Sequence, residues 1–143
     1  MILEEFLKNG TLGSLHLGLS RNDVRGLLGE PPEYSGPGWK QEIWKYSNLE
    51  LAFWKDALSF IGLSFDDGRA MLPEALIADG NMTLESDREE DVKEFLQANR
   101  IDFMAEEELT FDEYKILRTT ASHVGLGFSK NRLCSIQLIV QKP

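Results

Sequence analysis

Basic residues are scarce in this chain: 15 Lys and Arg stand against 24 Asp and Glu, a net charge of −9. Binding a phosphate backbone rests on neutralising phosphates with basic side chains, so nucleic acid is excluded as the main partner. Cysteine is nearly absent, and Cys134 alone cannot build an internal disulfide framework. Histidine is limited to His16 and His123, neither with a Cys, Asp or Glu at ligand spacing on its own element, so no metal site is expected. No apolar run approaches the ~20 residues that span a bilayer. The segment Met1–Lys8 has neither the basic start nor the apolar core of a signal peptide. Nucleophile-elbow, phosphate-loop and dinucleotide fingerprints are missing too, so neither a cofactor nor an enzymatic activity is expected. The resulting picture is a reduced, cytoplasmic protein with no membrane or nucleic-acid partner.

What remains is ordinary globular material. Hydrophobic residues make up 42% and charged residues 27% of 143 positions, enough for one compact body with a core of its own. The negative charge is local. Between Glu85 and Glu113 there are 12 acidic and three basic residues, and the rest of the chain is balanced at 12 of each. An acidic surface of this kind raises the encounter rate with a basic partner.

Along the chain, residues 2–8 read as a short amphipathic helix stopped by Asn9-Gly10. Ser20 is the expected N-cap of a second helix, with Asp23 in capping-box position and Val24, Leu27 and Leu28 as its apolar stripe. Three strands are expected over Gln41–Tyr46, Asn48–Trp54 and Leu58–Phe65, the last two joined by a turn at Lys55-Asp56. The second half repeats this plan. Ser86 or Asp87 is expected to cap a helix whose Asp91-Val92-Lys93 and Phe95-Leu96 match Asp23-Val24-Arg25 and Leu27-Leu28 at an offset of 68. Val124-x-Leu126-x-Phe128 and Leu133-x-x-Ile136-x-Leu138-x-Val140 match Leu49-x-Leu51-x-Phe53 and Leu58-x-x-Ile61-x-Leu63-x-Phe65 at an offset of 75. The change of offset implies an insertion of about seven residues between helix and sheet in the second copy. The expected layout is therefore pseudo-repeat 1 over about 13–66, a connector over about 67–84, and pseudo-repeat 2 over about 85–141.

The run Gly18-Leu19-Ser20-x-x-Asp23-Val24-x-x-Leu27-Leu28-Gly29-x-Pro31, followed by Trp44-x-Tyr46 and a β-hairpin, resembles the repeat of the beta-lactamase inhibitory protein-like superfamily, which includes the small outer-membrane lipoprotein A family. The resemblance covers residues 13–66 well and 84–141 loosely, because the second copy lacks the Gly-x-Pro stop and the Trp-x-Tyr pair. It implies an α+β fold of two tandem helix-plus-β-hairpin repeats, sharing an antiparallel sheet with helices packed on one face. It further implies a non-enzymatic protein that binds another protein across the open sheet face. Periplasmic inhibition and outer-membrane assembly are not carried over, since the chain shows no leader, lipid-attachment cysteine or cysteine pair.

Alternation then divides the strands. Leu49, Leu51, Phe53, Ile61, Leu63, Phe65, Val124, Leu126, Phe128, Ile136, Leu138 and Val140 are expected to face the helices. Glu50, Ala52, Trp54, Phe60, Gly62, Ser64, His123, Gly125, Gly127, Ser135, Gln137 and Ile139 should form a shallow floor of small residues with aromatic edges. Trp44 and Tyr46 share a face with each other, and Ile43 competes with them for the core, so either face is open to them. Large aromatics anchor protein interfaces, which makes Trp39, Trp44, Tyr46, Trp54, Phe60 and His123 the candidate partner-binding residues. The leading function is a protein-binding module, inhibitor-like or immunity-type, for a basic protein. Two alternatives stand beside it: a small-ligand binder or enzyme with a pocket near His123, paired with Glu50, and a structural homodimer subunit.

Overall fold

The computed structural model describes residues 2–36, 40–106 and 114–140. Helix α1 (Ile2–Asn9) buries Leu3, Phe6 and Leu7, and Gly10 closes it by donating its N–H to the Phe6 carbonyl. Helix α2 (Arg21–Leu28) starts at Ser20 with the expected reciprocal cap. The Ser20 hydroxyl accepts from the Asp23 N–H at 3.1 Å, and the Asp23 carboxylate accepts from the Ser20 N–H at 3.2 Å. Gly29, at φ +84°, ends the helix in a conformation that side-chain-bearing residues avoid.

Among the described residues ten strands follow: β1 (Glu33–Ser35), β2 (Gln41–Tyr46), β3 (Leu49–Trp54), β4 (Ala57–Ser64), β5 (Arg69–Met71), β6 (Asn81–Thr83), β7 (Phe103–Ala105), β8 (Tyr114–Thr119), β9 (Gly125–Ser129) and β10 (Arg132–Ile139). Helix α3 (Glu89–Ala98) lies between β6 and β7. Strands β5 and β6 pair with each other, and the other eight form one antiparallel sheet in the order β1-β2-β3-β4-β10-β9-β8-β7. The fold is therefore α+β with a large antiparallel sheet. The two hairpins expected from alternation, β3–β4 and β9–β10, turn on the same device. Lys55 and Asp56 in the first, and Lys130 and Asn131 in the second, all take positive φ, as a two-residue turn matched to strand twist requires.

Registers across the sheet decide which residues share a face. Trp44 sits opposite Leu51 and Tyr46 opposite Leu49; Leu51 and Leu49 in turn face Ile61 and Leu63 of β4. Across the central seam, Ile61 faces Leu138, Gly62 faces Gln137 and Leu63 faces Ile136. These apolar residues are buried in one cluster with Leu3, Phe6 and Leu7 of α1, Val24 of α2, and Val92 and Leu96 of α3. Burial of this apolar area, at roughly 25 cal/mol per Å², drives the assembly.

Three expectations are corrected here. The N-cap of α3 is Arg88, with no side-chain cap, rather than Ser86 or Asp87. The Ser86 hydroxyl accepts from the Arg88 N–H and donates to the Asp91 carboxylate at 2.6 Å. Asp87 turns to the sheet, pairing with Arg132 at 3.0 Å while its carbonyl accepts the Leu133 N–H. Val140, expected to face the helices, lies beyond the end of β10 and is half-exposed. The loop expected between α3 and the second hairpin carries two strands, β7 and β8, and the acidic residues Glu107, Glu108, Asp112 and Glu113 between them lie outside the described residues.

Candidate functional site

On the face of the sheet turned away from the core cluster, three tiers of side chains cross the β3–β4 hairpin. In the first, Trp54 stands beside Gln41 and Ala57. The second runs Ile43, Ala52, Phe60 and Ile139 across β2, β3, β4 and β10. The third runs Lys45, Glu50, Gly62, Gln137, Gly125 and Arg118 from β2 to β8. Trp54 and Ile139 are each 50% exposed, so the first two tiers form an apolar strip open to solvent. Lys55 extends over the Trp54 ring, its ammonium 5.9 Å from the ring centre, a cation–π contact at the rim.

The floor is less bare than alternation suggests. A Cβ on Gly62 would lie 2.6 Å from the Phe60 ring, so the ring lies down along its own strand where only glycine leaves room. A Cβ on Gly127 would meet the Tyr114 and Ser135 hydroxyls, both at 2.6 Å. Above Gly125 rests the Arg118 guanidinium. Each of these three glycines thus leaves room for a large side chain, Phe60, Tyr114 or Arg118, which fills the floor there.

Arg118 is held in place. Its Nε and Nη2 donate to the two Glu106 carboxylate oxygens at 2.5 and 2.8 Å, and its Nη1 donates to the His123 carbonyl at 3.0 Å. The hydrogen bond from Arg118 holds the Glu106 carboxyl below its ordinary range. A carboxyl lowered in the folded state contributes stability above its unfolded pKa, near 4.5, and loses it as pH falls through the folded value. Replacing Glu106→Gln should therefore flatten the decline of stability below about pH 4.5. Urea unfolding at stepped pH measures this, and an unchanged slope in the variant would refute it.

The six candidate residues fall into four groups. Trp54 and Phe60 lie on the open face as alternation places them. Trp44 and Tyr46 belong to the core face, 1% and 4% exposed, and are unavailable to a partner. The Trp44 ring packs on Phe53 at 4.7 Å and under the Arg25 guanidinium at 4.9 Å. Tyr46 donates its hydroxyl to the Gly29 carbonyl at 2.8 Å, and burial, reinforced by the charge of Glu30, pushes its pKa up to about 12. His123 is exposed, but at φ +63° it sits in the turn between β8 and β9 rather than in a strand. It is separated from Glu50 by β4 and β10, so the structure does not bring that pair together. Trp39 lies outside the described residues. Sequence reasoning missed Ile43 and Arg118 as open-face residues; only the register of β2 on β3 and of β8 on β9 assigns them.

Other chemistry is limited. Among the described residues no group of His, Cys, Asp and Glu could hold a metal ion, and no helix is long and apolar enough to cross a membrane. Cys134 occupies the irregularity where β10 shifts register on β9, and its thiol donates to the Gly127 carbonyl. Two cavities, of about 490 and 840 Å³, are lined by residues of α3 and its neighbours, and His123 lines neither. Comparison with protein families, curated proteins and solved structures finds no match in any of the three.

Proposed function

We propose that this chain is a duplicated helix-plus-hairpin unit acting as a non-enzymatic protein-binding module, inhibitor-like in manner, that engages a basic protein through the open sheet face. The duplication is supported by the central seam. At an offset of 75, Ile61 corresponds to Ile136 and Leu63 to Leu138. Ile61 pairs with Leu138 and Leu63 with Ile136, the reciprocal pattern of two like strands about a pseudo-twofold axis at Gly62 and Gln137. Helices packed on the core face of a shared sheet belong to the same reading. The expected seven-residue insertion then divides in two. Leu117 takes the place of Trp44 opposite Leu126, an offset of 73, so five residues enter before β8 and two in the turn between β8 and β9. The unit resembles the beta-lactamase inhibitory protein-like repeat in its motif and in this plan.

The observation that carries the binding role is the apolar strip of Ile43, Ala52, Phe60, Ile139 and Trp54. Its counterpart in the second copy, Ile116, Gly127, Ser135 and Ser64, is mostly small or polar. Packing alone gives no reason for one half to expose what the other does not. Exposed apolar patches with a tryptophan are the usual anchors of interfaces; the net charge of −9 favours approach of a basic partner at long range, although α3 with Glu89, Glu90, Asp91 and Glu94 packs on the other face of the sheet.

The test is capture of partners from the source cell by the whole chain at about 0.15 M salt, followed by titration of any partner found. Trp54→Ala with Ile139→Asp should weaken binding by about 30-fold or more, the scale of a hot-spot loss of 2 kcal/mol. Equal affinity in the variant would refute the assignment of the face. A mass that doubles with concentration, and returns to 16.2 kDa in the same variant, would replace the foreign partner with a second copy.

A further inference from the structure

A cavity of about 840 Å³ opens between α1, the β5–β6 hairpin region and α3. Its floor is Leu126 and Ile136 of the sheet, and Leu7, Met82 and Phe95 contribute to its walls. None of these belongs to the open face described above. The volume lies within the range of roughly 300–1,000 Å³ typical of small-molecule sites, which combine an apolar lining with a few placed polar groups.

Beside the neutral Asn81, Thr83 and Ser86, the charged groups here are of one sign. Glu85, Asp91 and Glu94 line the cavity and are exposed. None of them forms an ion pair among the described residues; Asp91 accepts only the Ser86 hydroxyl. Lys93, the one lysine of α3, is committed to Glu89 at 2.8 Å. An apolar molecule with a carboxylate or sulfate head would bring a fourth negative charge among these three. One with an ammonium head would meet opposite charge where its chain leaves the apolar lining.

We propose that this cavity is a binding site for a small cationic amphiphile, an apolar body of about ten carbons bearing one ammonium group. The chain lies along Ile2, Leu84 and Phe95, the half-buried apolar residues of the lining, while the ammonium stays with the exposed Glu85, Asp91 and Glu94. Each methylene withdrawn from water favours binding by about fourfold.

The probe is decylammonium chloride below its micelle concentration, titrated calorimetrically and followed by the methyl resonances of Ile2 and Leu84. Saturable binding of one molecule per chain is expected. Octylammonium should bind about 15-fold more weakly, decanoate more weakly still, and Glu94→Gln should weaken decylammonium about threefold. Ala98→Trp places an indole at a cavity-lining position that is solvent-exposed and should abolish binding. Thr83→Trp, across the cavity, serves the same end if the first variant does not fold. Trp54→Ala should leave the affinity unchanged, so the result stands or falls apart from the proposal for the open face. Several weak equivalent sites, equal affinity for decanoate, or full binding to both filled variants would overturn it.

Discussion

Phe53→Ala should lower the free energy of unfolding by about 3–5 kcal/mol, the range of large-to-small changes at fully buried aromatics. Phe53 is fully buried in β3, and its ring is shared by two neighbours. Trp44 packs against it at 4.7 Å with the planes 58° apart, a tilted pair worth roughly 0.5–1.5 kcal/mol beyond area burial. The Arg21 guanidinium lies 5.3 Å from the ring centre, while its Nε donates to Glu42 at 2.9 Å and its Nη1 to Asp56 at 3.2 Å. Removing the ring therefore opens a cavity beside Trp44 and takes the platform from the arginine that ties α2 to β2 and to the β3–β4 turn. The counterpart in the second hairpin, Phe128, is equally buried but has no aromatic or guanidinium contact among the described residues. Phe128→Ala should fall at the lower end of the same range. Chemical denaturation measures both, as a shift of midpoint at constant slope. A loss below about 2 kcal/mol for Phe53→Ala, or a larger loss at Phe128, would contradict this account of the core.

The contrast between these hairpins and the rest of the sheet explains what could be seen in advance. Leu49, Leu51 and Phe53, and Ile61 and Leu63, alternate over runs long enough for period two to stand out, because one face is buried and the other wet. The α2 cap was equally legible, since Ser20 and Asp23 act within four residues of chain. Strands β1, β5, β6 and β7 have three residues each, too few to show a period. Strand β8 hides its alternation differently. Lys115 reaches Glu89 at 3.4 Å from the core face, and Arg118 reaches Glu106 from the open one. Charge therefore marks both sides.

For the candidate site, Trp54 and Phe60 followed from alternation, but the face of Trp44 and Tyr46 was set by pairing with Leu51 and Leu49, a fact between strands that no single strand carries. His123 failed for a related reason. The pattern of Gly125 and Gly127 extrapolates backwards to it only if the backbone stays extended, and a left-handed φ at His123 breaks the extrapolation. The misplaced α3 cap has a long-range cause as well. Arg88 and Arg132 form an isolated bridge, and the Glu89 N–H donates to the Asn131 carbonyl, so the helix start is drawn to a hairpin more than 40 residues away.

Gln137→Pro should unfold the protein or destabilise it by about 3 kcal/mol or more, although the Gln137 side chain is exposed and the residue lies six positions from the end of the sequence. A last strand added at the margin of a sheet would tolerate such a change. Here β10 is central: Gln137 pairs with Gly62 of β4 on one side and Gly125 of β9 on the other. Whichever neighbour takes its N–H, the ring of proline removes that donor and leaves a buried carbonyl unpaired, costing about 1–3 kcal/mol. The ring also forces strands apart in the middle of a ladder, where proline is not accommodated. The change falls on the pair through which the proposed pseudo-twofold axis passes, so the join between the halves is disrupted rather than one end. Two controls separate backbone from side chain and centre from margin. Gln137→Ala keeps the donor and should change stability by less than about 0.5 kcal/mol. Tyr34→Pro, in the edge strand β1, should cost far less than Gln137→Pro. Circular dichroism and urea unfolding of the three variants decide the matter: a folded Gln137→Pro with near-native stability would mean that β4 and β10 do not meet, and the eight-stranded sheet would have to be redrawn as two.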